Sequence, residues 1–212
     1  MTGIEPGKEL YILAADKGIK FAVEGLLSRA QRLNIRSPGP EMLTISVHPE
    51  HDPGCYQRAH EFLRPFVRVY RYAMVIFDRE FDEHNLYPRK KLEEEVEDNL
   101  AKNGWRGRSA AVVIDPELES WVFSDSPHVD RILGWERMTP KLRDWLEEKE
   151  FIGPGEIKPN RPKEAMRKAL REANKSPSAS LFRKMAQNVS LKKCEDDSFA
   201  KFKTTLQNWF PP

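Results

Sequence analysis

Cysteine, long apolar runs and glycine-rich loops are all scarce in this sequence, and each shortage removes a class of protein. Only two cysteines occur, Cys55 and Cys194, far apart in a chain of 212 residues. That excludes a disulfide framework and makes a reducing cytoplasm the expected setting. No apolar run approaches the ~20 residues of a membrane-spanning helix, so no membrane partner is expected. Met1 to Lys8 lacks the basic-then-apolar order of a signal peptide. No Gly-x-Gly-x-x-Gly or Walker-type loop appears, and Gly7-Lys8 stands before the first strand without the context such a loop needs. His48-x-x-His51, with Asp52 and Cys55, has ligand-like residue types but no Cys-x-x-Cys spacing, and turn chemistry accounts for it better than zinc, although His51 or Asp52, near the sheet edge where the strands end, is a candidate substrate contact. Neither cysteine has a His/Asn partner pattern that would mark a thiol nucleophile.

Against these shortages stand 39% apolar and 32% charged residues, enough for a packed core. The net charge of +2 hides a split. Residues 151–212 carry 13 Lys+Arg against 6 Asp+Glu, and residues 1–150 carry 22 against 27. A basic C-terminal part beside an acidic body suits phosphates or an acidic partner, although lysine-rich helices are also simply well solvated.

Short apolar runs alternate with helical periodicity over the first 125 residues. Glu9 to Asp16 reads as a strand, and Ile19 to Leu33 as a helix with Ile19, Val23, Leu26, Leu27 and Ala30 on one face. Pro38-Gly39-Pro40 breaks the chain before a second strand, Met42 to Val47. A loop with Asp52-Pro53-Gly54 leads into a helix carrying Ala59, Phe62, Leu63 and Phe66. Tyr72 to Phe77 is apolar throughout, as expected for a strand covered on both faces of a parallel sheet. Pro88 opens a charged helix over Lys91 to Lys102, Asn103-Gly104 closes it, and Ser109 to Ile114 forms a fourth strand. Beyond residue 120 the pattern is helical, with segments near Val129–Leu133, Pro140–Lys149, Pro162–Glu172, Ala179–Asn188 and Ser198–Trp209. Gly153-Pro154-Gly155 and Lys175-Ser176-Pro177-Ser178 read as loops between them. The expected fold is α/β, a mostly parallel sheet flanked by helices over residues 1–125, with a helical portion over 126–212 packed on it.

In an open α/β sheet, ligands collect at the carboxyl ends of the strands. Acids gather there. Asp16 ends the first strand, Asp78 and Glu80 follow the third with Asp82 and Glu83 close behind, and Asp115, Glu117 and Glu119 follow the fourth. Carboxylates so grouped repel one another unless a cation intervenes, and their oxygens suit Mg²⁺ or Mn²⁺. Taken singly, each acid has an ordinary role: Asp16 can cap a helix, and Asp115-Pro116-Glu117 reads as a helix start. Arg79, between the paired acids, can form a structural ion pair.

The pattern resembles the Toprim fold of topoisomerases, bacterial primases and OLD-type nucleases. Leu10 to Asp16 resembles its first acidic motif, and Tyr72 to Glu80, with Asp78 and Glu80, its paired motif. Over most of its length the chain further resembles a small Toprim-like component of methylation-associated phage defence systems. That likeness rests on Ile114 to Trp121, on Lys192 to Phe199 with Leu206 and Trp209, on His48 to Cys55, and on Lys158 to Glu164. The resemblance implies a metal-dependent nuclease, or nuclease-like nucleic-acid-processing protein, of antiviral defence. Asp16, Asp78 and Glu80 would hold Mg²⁺ or Mn²⁺, and Glu117 or Glu119 would assist catalysis. The first motif departs from the family: Ala15-Asp16-Lys17-Gly18 replaces Glu-Gly, and Asp16 is one methylene shorter than Glu. Glu24-Gly25 matches the dipeptide but falls within the helix. A non-catalytic sensor or interaction subunit, binding other defence proteins, is therefore the second expectation.

Lys158, Arg161, Lys163 and Arg167, continuing to Lys168 and Arg171, are the expected nucleic-acid contacts, since phosphate neutralisation supplies much of such affinity. Trp121, Trp135, Trp145 and Trp209 are candidates for stacking on bases, but at helical positions they are expected in the core.

Overall fold

The structure is a computed structural model and describes residues 7–81, 87–124, 126–153, 155–156, 158–189 and 196–212. Asp82, Glu83, Pro154 and the run Lys192-Lys193-Cys194-Glu195 lie outside the described residues.

Four strands form one all-parallel sheet: β1 (Lys8–Ala14), β2 (Leu43–Val47), β3 (Tyr70–Asp78) and β4 (Ser109–Ile114), in the order β2-β1-β3-β4. Register pairs Ile12 with Ile45 and Met74, and Ile76 with Val112. The central strands are buried on both faces, which is why they read as unbroken apolar runs rather than alternating ones. Edge strand β2 is only half-buried along its length.

Helix α1 (Lys17–Leu27) follows β1 and α2 (Ala30–Leu33) follows it; α3 (His51–Leu63) follows β2, and α4 (Arg89–Leu100) follows β3. The path turns from β1 outward to β2, then back across β1 to β3. Right-handed crossovers therefore put α1 on one face and α3 and α4 on the other. The packing agrees, since α3 lies against α4 while α1 lies against a later helix. The reversal leaves a topological switch point between the carboxyl ends of β1 and β3.

The remaining helices are α5 (Glu119–Val122), α6 (Pro127–Leu133), α7 (Leu142–Glu148), α8 (Pro162–Glu172), α9 (Ala179–Asn188) and α10 (Asp197–Trp209). Among the described residues no strand follows Ile114. This helical portion is fastened to the sheet domain. At Gly25 of α1, an added Cβ would stand 2.6 Å from the Arg183 carbonyl of α9, so the two backbones approach as only glycine permits. Arg29 donates to the carbonyls of Ala186 and Val189, and Arg183 pairs with Glu24. Trp209 of α10 stacks on Tyr72 of β3, with ring centroids 4.6 Å apart.

The tryptophans are structural. Trp121 donates to Ser198 and Asp196 and packs against Phe199 and Phe202; Trp135 donates to the Ala169 carbonyl and packs on Trp145. The long helix expected over Ile19–Leu33 breaks after Leu27, and Asp52-Pro53-Gly54 lies inside the first turn of α3 rather than in a loop before it. Asp115 does not cap a helix either: the Asp115–Pro116 peptide is cis, and α5 starts only at Glu119.

Candidate functional site: acidic cluster at the switch point

Asp16 follows the end of β1. Its Oδ1 accepts the Ile19 N–H at 2.7 Å and so caps α1. Asp78 is the last residue of β3 and is only 8% exposed; its Oδ1 accepts the Leu118 N–H at 3.0 Å. That bond ties the segment after β4 across the end of β3. Asp52, in the first turn of α3, accepts the Asp78 N–H at 2.9 Å. Each of these bonds uses one carboxylate oxygen.

The segment that delivers Asp52 is tightly built. His51 adopts φ of 52°, a left-handed conformation costing roughly 1–3 kcal/mol in a non-glycine residue. Its Nδ1 lies 3.1 Å from the Ala15 carbonyl. His48 is buried, its Nδ1 accepts the Glu50 N–H at 3.0 Å, and a Cβ at Gly54 would fall 2.1 Å from that nitrogen. Turn chemistry is thus what the His-rich run does here. Cys55 is fully buried beneath it, and burial, then Asp52 and Asp16, push its thiol well up.

Glu117 and Glu119 arrive from beyond β4. Glu119 is 7% exposed; burial first and the Glu117 charge second raise its pKa to about 7. Asp78 is raised well above the ordinary range by burial and by Asp52 and Glu119. Asp52 is raised by burial and by Asp16, against the opposing pull of its bond from the Asp78 N–H. Among the described residues, one cation faces these acids. Lys163, near the start of α8, places Nζ 3.0 Å from Glu117 Oε2. That contact is an ion pair rather than an aligned hydrogen bond, since the buried Oε2 has no hydrogen-bond partner. Burial alone would lower the Lys163 pKa, but Glu117, Asp78 and Glu119 offset it and leave it raised.

The expected site residues therefore separate. Asp16, Asp78, Glu117 and Glu119 share one electrostatic neighbourhood, and Asp52 joins them. Glu80 is exposed and turned to Arg79, whose Nη2 stands 3.5 Å from Glu80 Oε1 and whose Nε donates to Asp115 at 2.7 Å. Of the expected phosphate contacts, Lys163 reaches into the acids, Lys158 donates to the Ser120 carbonyl, and Arg161 pairs with Glu164 at 2.8 Å. Arg167 is exposed. Asp52, which the sequence offers with His51 as a substrate contact at this sheet edge, is bonded to the Asp78 N–H and so joins the acids.

The donor chemistry suits a hard divalent ion: carboxylate oxygens in excess of positive charge. The side chains are not preassembled as a full ligand set: among the described residues no three His, Cys, Asp or Glu side chains form a group that could hold a metal ion, so an ion here would take its remaining oxygens from water or substrate. Among the described residues, too, no helix is long and apolar enough to cross a membrane.

The fold and site thus define an α/β protein with an acidic switch-point cluster. No family model matches the chain, and no curated protein or solved structure matches it significantly.

Proposed function

We propose that the switch-point cluster is the working site of a phosphodiester-processing protein of nuclease type, acting in the cytoplasm as a component of antiphage defence. One observation carries the chemistry: five carboxylates, Asp16, Asp52, Asp78, Glu117 and Glu119, share one electrostatic neighbourhood in which the Lys163 ammonium pairs with Glu117, and burial with mutual repulsion raises Asp78 and Glu119. Such a group stores an unmet demand for positive charge. Mg²⁺ or Mn²⁺ arriving with a phosphate substrate would meet it, because these ions are commonly held by one or two carboxylates together with substrate oxygens. The Toprim resemblance of β1–Asp16 and β3–Asp78 supports the same chemistry and the defence setting.

The test is cleavage of end-labelled DNA and RNA by the purified protein with Mg²⁺ or Mn²⁺. Asp78→Asn, which keeps the acceptor for the Leu118 N–H, should reduce cleavage at least a hundredfold. Folded wild type that cuts neither polymer with either ion contradicts the reading.

A second reading, a non-catalytic subunit that binds other defence proteins, is favoured by the outer acids. Arg79 already neutralises Glu80 and Asp115, as expected of a site that has lost its paired metal ligands. Wild type that is inert in the cleavage assay but co-purifies stoichiometrically with a partner would select it.

A further inference from the structure

Helix α8 buries Pro162, Ala165, Met166, Ala169 and Leu170 and leaves its cations in solvent. Lys163, Arg167 and Arg171 stand four residues apart, so they share one face, each step about 6 Å along the axis and the whole row about 12 Å. Like charges at this spacing destabilise a helix by about 0.2–0.5 kcal/mol per pair, so the row gains nothing by itself. The helix acid within this row's reach, Glu164, is bonded to other cations, although the Arg167 charge also acts on it. Glu164 pairs with both Arg161 and Lys168, at 2.8 Å each. Among the described residues no ion pair engages Arg167 or Arg171.

The two ends of the row differ. At one end Lys163 touches Glu117 of the acidic cluster. At the other, Arg167 and Arg171 open into a groove of about 320 Å³ completed by Asn174, Lys175, Ser176 and Pro177. The Lys175 ammonium is fixed at the groove by the Ile132 carbonyl. Guanidinium groups in such a groove recognise phosphate through paired N–H donors, and Asn174 and Ser176 add neutral donors.

We propose that Lys163, Arg167 and Arg171 form a phosphate track that leads one nucleic-acid strand from this groove into the acidic cluster. The track rests on the phosphodiester reading of that cluster and adds the substrate's path to it. A polyanion is repelled by five carboxylates, and a row of cations ending among them supplies the attraction that brings a phosphate to that point. The six-ångström step suits successive phosphates of an extended strand. Asn174, Lys175, Ser176 and Pro177 lie beyond the stretch whose sequence suggests phosphate binding, and the engagement of Arg161 and Lys158 narrows that stretch to one face of α8.

The test is fluorescence anisotropy with fluorescein-labelled single-stranded DNA and RNA 20-mers, in parallel, in EDTA so that no cleavage intervenes. Wild type should bind at least one of them with a steep salt dependence. Arg167→Ala/Arg171→Ala should weaken binding at least tenfold and flatten the log K against log salt slope by about 1.4, the release expected for two lost phosphate contacts. Arg167→Lys/Arg171→Lys should restore the slope, and Lys168→Ala, whose charge is already paired, should stay within twofold of wild type. Which polymer binds assigns the strand as DNA or RNA. Wild type that binds neither, or a double-alanine variant with unchanged affinity and slope, overturns the track. Loss of binding in that variant while the wild type cuts nothing keeps the track and removes the nuclease reading. Cleavage by wild type with the variant binding normally does the reverse.

Discussion

Glu93 and Glu119 are equally hidden, 3% and 7% exposed, and both lie beside the β3–β4 half of the sheet, yet the chain treats them differently. Glu93, on α4, is bonded by Arg89 at 2.7 Å, by Lys201 of α10 at 3.2 Å and by the Val113 N–H at 3.1 Å. Its neighbour Glu97 takes Lys201 at 2.7 Å and the Ala111 N–H at 2.9 Å. These two carboxylates satisfy the outward N–H groups of edge strand β4 and so close it to pairing with another chain. Two cations serve these two acids, with the exposed Asp197 a third, more distant partner 3.9 Å from Arg89. At the switch point Lys163 pairs with Glu117, and among the described residues no ion pair engages Asp16, Asp52, Asp78 or Glu119. The contrast separates a carboxylate used as building material from carboxylates held in readiness for something positive.

The sharpest way to break that contrast is to remove a cation from the completed group. Arg89→Met should lower unfolding free energy by about 3 kcal/mol, because it leaves buried Glu93 with only Lys201, itself shared with Glu97, as a counter-charge. Urea denaturation reads this directly, and a loss below about 1 kcal/mol would erase the distinction between the two groups.

The next effect is a pH dependence of unusual sign. The folded pKa of Glu119, about 7, stands above its ordinary 4.5, so the fold favours the protonated form. Its contribution is fully present below pH 4.5 and is lost as the pH rises through about 7; the raised Asp78 acts in the same direction. Stability should fall by roughly 2–3 kcal/mol across that window. Glu119→Gln should flatten the decline and be more stable than wild type at pH 8. Thermal or urea unfolding between pH 4.5 and 8 checks both, and a wild type that gains stability towards pH 8 contradicts them.

Lys163→Met comes third. The lysine is half-exposed, so solvent screens it and the loss of stability at pH 7 should be about 1 kcal/mol or less. The telling readout is the midpoint of the pH decline, which should move upward when the Lys163 charge is gone. Smallest is Arg79→Ala: its partners Glu80 and Asp115 are 55% and 42% exposed, and the cost should be within about 0.5 kcal/mol by urea denaturation.

How much of this could be read from sequence follows from which interactions are local. Strands β1, β3 and β4 are legible because burial on both faces leaves an unmistakable apolar run, and Ser109–Ile114 coincides with β4 residue for residue. The acids Asp16, Asp78, Glu117 and Glu119 were legible because strand ends in a parallel sheet must meet. Glu80 was grouped with them because it stands two residues after Asp78, and the structure turns it to Arg79 instead. That preference depends on Asp115, 36 residues away, fixing Arg79 from the other side. Lys163 could not be placed either: its helix pattern is plain, but its approach to Glu117 needs α8 to be folded back over the sheet's carboxyl edge. The same limit hid the Glu93–Lys201 contact, which joins α4 to α10. Chain-distant pairing of charges is set by packing, and one sequence carries no periodicity that reports it.

The central claim, that the switch-point acids await a cation and the Glu93 group does not, is tested most directly by Mn²⁺ titration calorimetry. Wild type, Asp78→Asn/Glu119→Gln and Glu93→Gln should be compared, each shown folded by circular dichroism. The account predicts saturable Mn²⁺ binding by wild type and by Glu93→Gln, and none by the Asp78/Glu119 variant. A silent wild type, or binding that survives in that variant, would contradict it.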